Sequence, residues 1–191
     1  MKTIISLAMN PSIDKSASVG QVIVERKLYC KMPAYEPGGG GVNVSRAIKK
    51  LGGESKLLYP SGGILGQLLN ELLGKEKISH QPIPIKGTIR ENIIIFEEST
   101  SLQYRFGMPG PVLCEEEWRQ CLDELENAEP EPDYIVASGS LPSGVPGDFY
   151  ARVARIGKER SIKVIVDAPS ENLKPVLREG VYLIKPNIRE F

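Results

Sequence analysis

Pro37-Gly38-Gly39-Gly40-Gly41-Val42-Asn43-Val44-Ser45-Arg46-Ala47-Ile48 decides the fold of this chain, because four consecutive glycines run straight into a helical pattern. Glycine loses more backbone entropy on ordering than any other residue, so an ordinary connection would be weakened by four in a row. The run makes sense where another molecule lies against bare backbone that a Cβ would obstruct. Val42, Ala47, Ile48 and Leu51 follow at spacings close to one helical face, and Gly52-Gly53 supplies the stop signal. The helix therefore turns its N-terminus, with free N–H groups and partial positive charge, toward the glycines. That arrangement predicts an anion or polyol site. A flexible linker is the competing reading, and the helical pattern that follows at once argues against it.

Two glycine motifs are excluded. The phosphate loop G-x-x-x-x-G-K-[S/T] needs a Lys-Ser or Lys-Thr pair that this spacing lacks. The dinucleotide fingerprint fails because Val44 stands where its third glycine belongs, and because Met32-Pro33-Ala34-Tyr35-Glu36-Pro37 suits an edge or loop rather than the strand that must precede it.

Outward from the glycines the chain alternates. Thr3 to Met9, Lys56 to Tyr59, Tyr134 to Ala137, Val164 to Val166 and Val181 to Ile184 read as short apolar strands. Helices are expected around Leu65 to Leu73, Glu115 to Asn127 and Gly147 to Arg160. Such alternation implies an α/β fold, a mostly parallel sheet covered on both faces. Ligands of these sheets gather at the carboxyl ends of the strands. Asp14, Ser138-Gly139-Ser140, Asp167 and Lys185-Pro186-Asn187 all follow strands and so fall on one rim. A strand-end Asp is more often a helix cap or turn former, but four polar strand ends beside a glycine loop exceed that explanation.

Two segments break the alternation. Gln21 to Tyr35 and Arg90 to Met108 each read as strand pairs, the second with Ile93 to Phe96, a polar turn at Glu98 to Ser101, and Leu102, Tyr104 and Phe106 alternating with Gln103 and Arg105. Both faces of that hairpin are apolar, which suits a small sheet covering a substrate on one side and a second subunit on the other; a hairpin merely packed on the core is the plainer alternative. Lys27, Arg90 and Arg105 lie on these segments and could clamp a phosphate.

The background is plain. At 191 residues the chain can bury a core and fits one domain plus an appendage. Lys+Arg and Asp+Glu balance at 24 each, which argues for neither nucleic acid nor anionic membrane. No apolar run is long enough to span a bilayer, and the opening MKTIISLAMNPSID is no signal peptide. Cys30, Cys114 and Cys121 have no metal spacing and read as reduced thiols in a cytoplasm. His80 has no Ser or Cys motif near it and reads as an ordinary loop histidine.

Asn10-Pro11-Ser12-Ile13-Asp14, the Gly38 to Asn43 run, Thr88-Ile89-Arg90, Ser138-Gly139-Ser140-Leu141-Pro142 and Lys185-Pro186-Asn187-Ile188-Arg189-Glu190 together resemble the ribokinase-like sugar kinases, and within them the phosphofructokinase B group. The resemblance joins five ordered motifs and covers essentially all 191 residues. Related kinases of fructose 1-phosphate and tagatose 6-phosphate usually carry Gly-Lys-Gly in the glycine loop. Gly40 stands where that lysine would be, as in the minor-type 6-phosphofructokinases, and Tyr104-Arg105-Phe106 with Met108-Pro109-Gly110 is similar to the same type.

The resemblance implies a ribokinase-like core over 1–14, 36–87 and 109–191, with a β lid over 15–35 and 88–108. It implies ATP and Mg²⁺ as cofactors and a homodimer through the lid. Asp14 and Asn43 would hold sugar hydroxyls, with the backbone of Gly39 and Gly40 against the sugar and Ser140 lining its site. Arg90 would bind the substrate phosphate, helped by Arg105 and by Lys27, the latter from its own or a neighbouring subunit. Asn187 and Glu190 match an N-x-x-E element that organises Mg²⁺ and its waters near ATP, with Asp167 and Lys185 on the same side.

The family's Gly-Ala-Gly-Asp motif, which supplies an anion hole and the catalytic aspartate, is not found between Met1 and Phe191. The chain is thus expected to be the sugar-binding and lid portion of a kinase, binding sugar phosphate weakly without turnover. Three readings stand: a 6-phosphofructokinase (or its 1-phosphofructokinase and tagatose-6-phosphate kinase relatives), a non-catalytic sugar-phosphate-binding or dimerisation module, and, weakened by the failed fingerprint, a nicotinamide oxidoreductase.

Overall fold

The computed structural model describes residues 2–186. The alternation builds a six-stranded, wholly parallel sheet from β1 (Ile4–Leu7), β4 (Lys56–Ser61), β5 (Ser79–Pro84), β8 (Tyr134–Ser138), β9 (Lys163–Asp167) and β10 (Leu183–Ile184), in the order β10-β9-β8-β1-β4-β5. Successive side chains of a strand point to opposite faces, so these strands feed two cores. Ile5, Leu7 and Leu58 join the core under α3 (Glu115–Glu126), α4 (Phe149–Glu159) and α5 (Ser170–Glu179). Leu57 and Tyr59 join the core under α1 (Gly40–Lys50) and α2 (Gly63–Lys75). The helices thus cover both faces, as the apolar strands require.

A second sheet, ordered β3-β2-β6-β7, contains β2 (Ser12–Val19), β3 (Ala34–Gly38), β6 (Arg90–Glu97) and β7 (Leu102–Gly107). Its centre is a parallel pair, Asp14 opposite Asn92, flanked by antiparallel edges. The hairpin of β6 and β7 forms where its alternation indicates. The first segment differs from expectation: Gln21 to Tyr35 is not a strand pair, and the strand begins at Ser12. Asp14 therefore lies within the second sheet rather than following β1 in the core sheet. Alternation of Ser12, Asp14, Ser16 and Ser18 with Ile13, Ala17 and Val19 is the signal, hidden by polar residues on one face.

Other departures have similar causes. His80 is on β5, not in a loop; its Nδ1 lies 2.8 Å from Ile78 O and its ring centre 6.1 Å from that of Tyr59. β5 is an edge strand, which tolerates Pro82 and Pro84. α5 was not expected because Pro175 sits inside it. Leu51, placed on the buried face of α1, is 88% exposed, and Gly41, Val42 and Ser45 form that face instead.

Candidate functional site

The order of strands reverses at β1. From there the chain proceeds outward through β4 to β5, then returns to the other side as β8, so the crevice beyond the carboxyl ends of β1 and β8 is the expected ligand position. Asn10 Nδ2 spans it, donating to Ser140 Oγ at 3.1 Å.

The glycines converge here for a reason within the chain itself. A Cβ on Gly38 would meet the Asp14 carboxylate and lie 2.5 Å from Ser12 Oγ. On Gly40 it would lie 2.5 Å from Ser138 Oγ and 2.7 Å from Gly139 N; on Gly41 it would enter the backbone of Leu7. Gly39 has φ 108°, a conformation that favours glycine. Three of the four glycines thus answer to the chain's own close packing. No side chain caps α1, and its first backbone bond runs from Asn43 N–H to Gly39 O at 2.9 Å. The positive end of the helix is consequently left facing the crevice.

Register places Ser12, Asp14, Arg90, Asn92, Ile94 and Arg105 on one face of the second sheet. Asp14 Oδ1 accepts from Ser12 Oγ at 2.9 Å and from Asn92 Nδ2 at 2.8 Å, while Oδ2 has no donor among the described residues. Asn92 Nδ2 also donates to Ser12 Oγ at 3.1 Å, and Arg90 Nη1 reaches Asn92 Oδ1 at 3.5 Å. Arg90 Nε and Asn10 Oδ1 are buried without a hydrogen-bond partner among the described residues. Burial pulls the Arg90 guanidinium below its usual range, and the charge of Asp14 opposes this. It remains a cation at neutral pH, because arginine titrates far above it.

On the core side, Ser138 Oγ donates to Asp167 Oδ2 at 3.0 Å, Gly139 N–H donates to Asp167 O at 2.8 Å, and Lys185 Nζ lies 3.6 Å from Asp167 Oδ1. The buried Tyr150 hydroxyl donates to Gly139 O at 2.9 Å and fixes the loop before Ser140.

The expected residues are therefore gathered unevenly. Asp14 and Arg90 meet through Asn92; Ser140 meets Asn10; Asp167 meets Lys185. Asn43 and Arg105 are exposed, and Lys27 stands over the Tyr29 ring at 5.3 Å rather than beside Asp14. Asn187 and Glu190 lie outside the described residues. Ser12, Asn92, Asn10 and Tyr150 were not foreseen in roles at this site. For Asn92 the signal was its place two residues from Arg90 on a strand, which puts both on one face.

A parallel sheet with helices on both faces and a small second sheet at its carboxyl edge is the ribokinase-like architecture. Residues 4–191 match the pfkB family carbohydrate kinases, and the chain belongs to that family. Over 187 residues it is 45% identical to ATP-dependent 6-phosphofructokinase isozyme 2 of Mycobacterium tuberculosis, covering 98% of this chain and 55% of that protein. Over 191 residues it is 38% identical to the enzyme of the same name from Escherichia coli, covering 100% and 62%. The solved structure of E. coli phosphofructokinase-2 in complex with fructose-6-phosphate matches with a TM-score of 0.94 at 38% identity, covering 100% of this chain and 63% of that one. The chain thus spans less than two thirds of the length of these relatives.

Proposed function

We propose that this chain forms the sugar-phosphate-binding part of an ATP-dependent 6-phosphofructokinase, which transfers the γ-phosphoryl group of ATP to the 1-hydroxyl of fructose 6-phosphate. One observation carries the reading: an Asp14 carboxylate whose Oδ2 has no donor among the described residues, tied through Asn92 to a half-buried Arg90 whose buried Nε has no partner among them either. A carboxylate oxygen suits a sugar hydroxyl, and a guanidinium suits a phosphate. The names of the relatives and Gly40 support the 6-phosphofructokinase choice.

On this reading Asp14 and Asn43 hold hydroxyls while the backbone of Gly39 and Gly40 lies against the sugar, with Ser140 closing one side. Arg90 and Arg105 hold the 6-phosphate, and Lys27 joins them from a partner's lid. The 1-hydroxyl oxygen forms a bond to the γ-phosphorus, and the bond from that phosphorus to the β–γ bridging oxygen breaks, so ADP leaves with the electron pair. The hydroxyl proton passes to a base that none of the residues assigned here supplies, since Asp14 is occupied in holding hydroxyls. Positioning and charge neutralisation are what such a transfer asks of the protein.

Lys185, on the core side of the crevice, fits a nucleotide's phosphate end in charge, and Asp167, 3.6 Å from its Nζ, lies on the same side. No three His, Cys, Asp or Glu side chains converge among the described residues. Mg²⁺, which neutralises the transferring phosphates, would be held chiefly by phosphate oxygens and waters, with Asn187 and Glu190 organising those waters. Half or more exposed on the lid sheet, Leu102 and Phe106 support a homodimer through it. Among the described residues no helix is long and apolar enough to cross a membrane.

The test is phosphorylation of fructose 6-phosphate, fructose 1-phosphate and tagatose 6-phosphate by the complete gene product with Mg-ATP. Fructose 6-phosphate is expected to be preferred, and Asp14→Asn to lower its kcat/KM about 10- to 100-fold, the worth of a hydrogen bond to a charged group. Preference for another of the three overturns the sugar assignment. No turnover of any favours a binding module.

A further inference from the structure

The two halves of the proposed sugar-phosphate site are joined by Asn92, to which that reading assigns no group of the substrate. We infer that Asn92 is a positioning residue: its amide fixes the acceptor geometry of Asp14 and ties it to Arg90, so that hydroxyl and phosphate recognition act as one unit. The inference rests on the sugar-phosphate reading of this site.

The amide nitrogen closes a triangle of polar atoms: Nδ2 donates to Asp14 Oδ1 at 2.8 Å and to Ser12 Oγ at 3.1 Å, two atoms that lie 2.9 Å apart. Ser12, fully buried, passes its own hydrogen to Asp14 Oδ1 at 2.9 Å. Two donors therefore converge on one carboxylate oxygen, which holds the group in one rotamer and leaves Oδ2 for a ligand. The amide oxygen faces Arg90 Nη1 at 3.5 Å. Rotating the amide by half a turn would set its oxygen against the carboxylate and its NH₂ against the guanidinium, so electrostatics admits only the observed orientation.

The backbone prepares this position. Asp14 and Asn92 are opposite each other in the central parallel pair. Across β6 stands Gly107, which has no side chain to compete; a Cβ there would come no nearer than 3.8 Å to Asn92 Oδ1. The next residue on the same face of β6 is Ile94, so sheet stability alone does not call for a polar side chain here. An amide that bonds a carboxylate on one side and faces a cation on the other is what coupling the two requires.

The experiment uses the complete gene product bearing Asn92→Ala or the nearly isosteric Asn92→Asp. Either is expected to raise KM for fructose 6-phosphate about 10- to 100-fold, equal to about 1.4–2.8 kcal/mol at 1.4 kcal/mol per decade, with KM for ATP within about twofold of wild type. Because Asn92 acts through Asp14, Asn92→Ala placed on Asp14→Asn should cost less than about threefold more, a strongly non-additive cycle. A merely structural role would lower the melting temperature and the active fraction, leave KM unmoved and give additive losses; that result overturns the inference. Should the alanine variant fail to fold, the aspartate variant keeps the shape of the side chain and decides alone. Wild-type enzyme that turns over a sugar phosphate alongside unaffected Asn92 variants removes this inference only. Wild-type enzyme that neither binds nor phosphorylates any of the three sugar phosphates removes both it and the reading beneath it.

Discussion

Alanine at Gly41 isolates the contact that seats α1 on the parallel sheet. A Cβ there would lie 2.6 Å from Leu7 C and 2.8 Å from Ala8 N, with Leu7 O closer still. All three are backbone atoms, and β1 is held on both sides by β4 and β8, so it cannot give way as a flexible side chain would. Recovering a normal separation of about 3.5 Å moves the helix outward by roughly 1 Å. That shift stretches the buried bond in which Ser6 Oγ donates to Gly41 O at 2.6 Å. Overpacking costs about 1–3 kcal/mol, and leaving the buried Ser6 hydroxyl unpaired costs about 1–3 kcal/mol more, the Gly41 carbonyl keeping its bond within α1. The sum of about 2–6 kcal/mol corresponds to a Tm lower by roughly 4–24 °C at 2–4 °C per kcal/mol for a chain of this size. Gly74→Ala is the internal control. It lies in α2 with nothing within 4 Å of its Cβ, so exchanging glycine for a better helix former should stabilise by about 1 kcal/mol. Thermal and urea denaturation followed by circular dichroism read both variants. A Gly41→Ala midpoint within experimental error of wild type, or a rise parallel to that of Gly74→Ala, would refute the steric account of the glycine run.

Two other predictions concern the cysteines and the second sheet. Burial pushes the Cys121 thiol up to about 12, whereas Cys30 is exposed, so native alkylation at pH about 8 should label Cys30 and spare Cys121. Rapid labelling of Cys121 in the folded protein, seen by peptide mass spectrometry, would contradict its placement in α3. Glu97 is held below the usual carboxylate range by hydrogen bonds from Thr100 and from Val22 N–H, against the opposing effect of burial. A carboxyl lowered in the folded state contributes stability above its unfolded pKa of about 4.3 and loses it as pH falls through the lower folded value. Exchange protection of the Val22 amide, corrected for intrinsic rate, should therefore hold near neutral pH, fall in strong acid and be reduced at every pH by Glu97→Gln. Protection that ignores both acid and the substitution would show that this contact does not anchor the segment.

Much of the core was legible because its strands are apolar runs: Leu57-Leu58-Tyr59 and Val164-Ile165-Val166 fit little else but strands buried on both faces. The site was legible in its charged residues, Asp14 and Arg90, and in its glycines. It was not legible in Ser12 and Asn92, since a hydroxyl and an amide acquire meaning only from the register that sets them opposite each other. The strand carrying Asp14 went unread for a related reason. One face of it is polar in order to line a crevice, and a polar face on a short strand looks like a loop. The buried face of α1 was misjudged because small residues, not leucines, make its contact with β1, which brings the helix close enough for Ser6 to bond Gly41. For Gly38 and Gly40 the structure adds a reason that the sequence did not show: a Cβ on them would collide with Asp14, Ser12, Ser138 and Gly139.

Those collisions explain how the two sheets are held in one site. Asp14, Asn92 and Arg90 belong to the second sheet, whereas Ser138, Ser140, Asp167 and Lys185 belong to the edge of the parallel sheet. The chain crosses from β1 to β2 in a few residues, and in that crossing Asn10 bonds Ser140. It returns from β3 to α1 through the glycines, where Gly38 packs on Asp14 of one sheet and Gly40 on Ser138 at the edge of the other. The glycine run is therefore the joint between the two sheets, and its lack of side chains sets their separation. In this chain a Cβ at Gly40 would press on Ser138 Oγ and Gly139 N, and so shift the Asp167 side of the crevice that Ser138 bonds, even though neither carboxylate had been altered. For the phosphoryl transfer proposed above, which would depend on holding two substrates in line, that separation would itself be a determinant of rate.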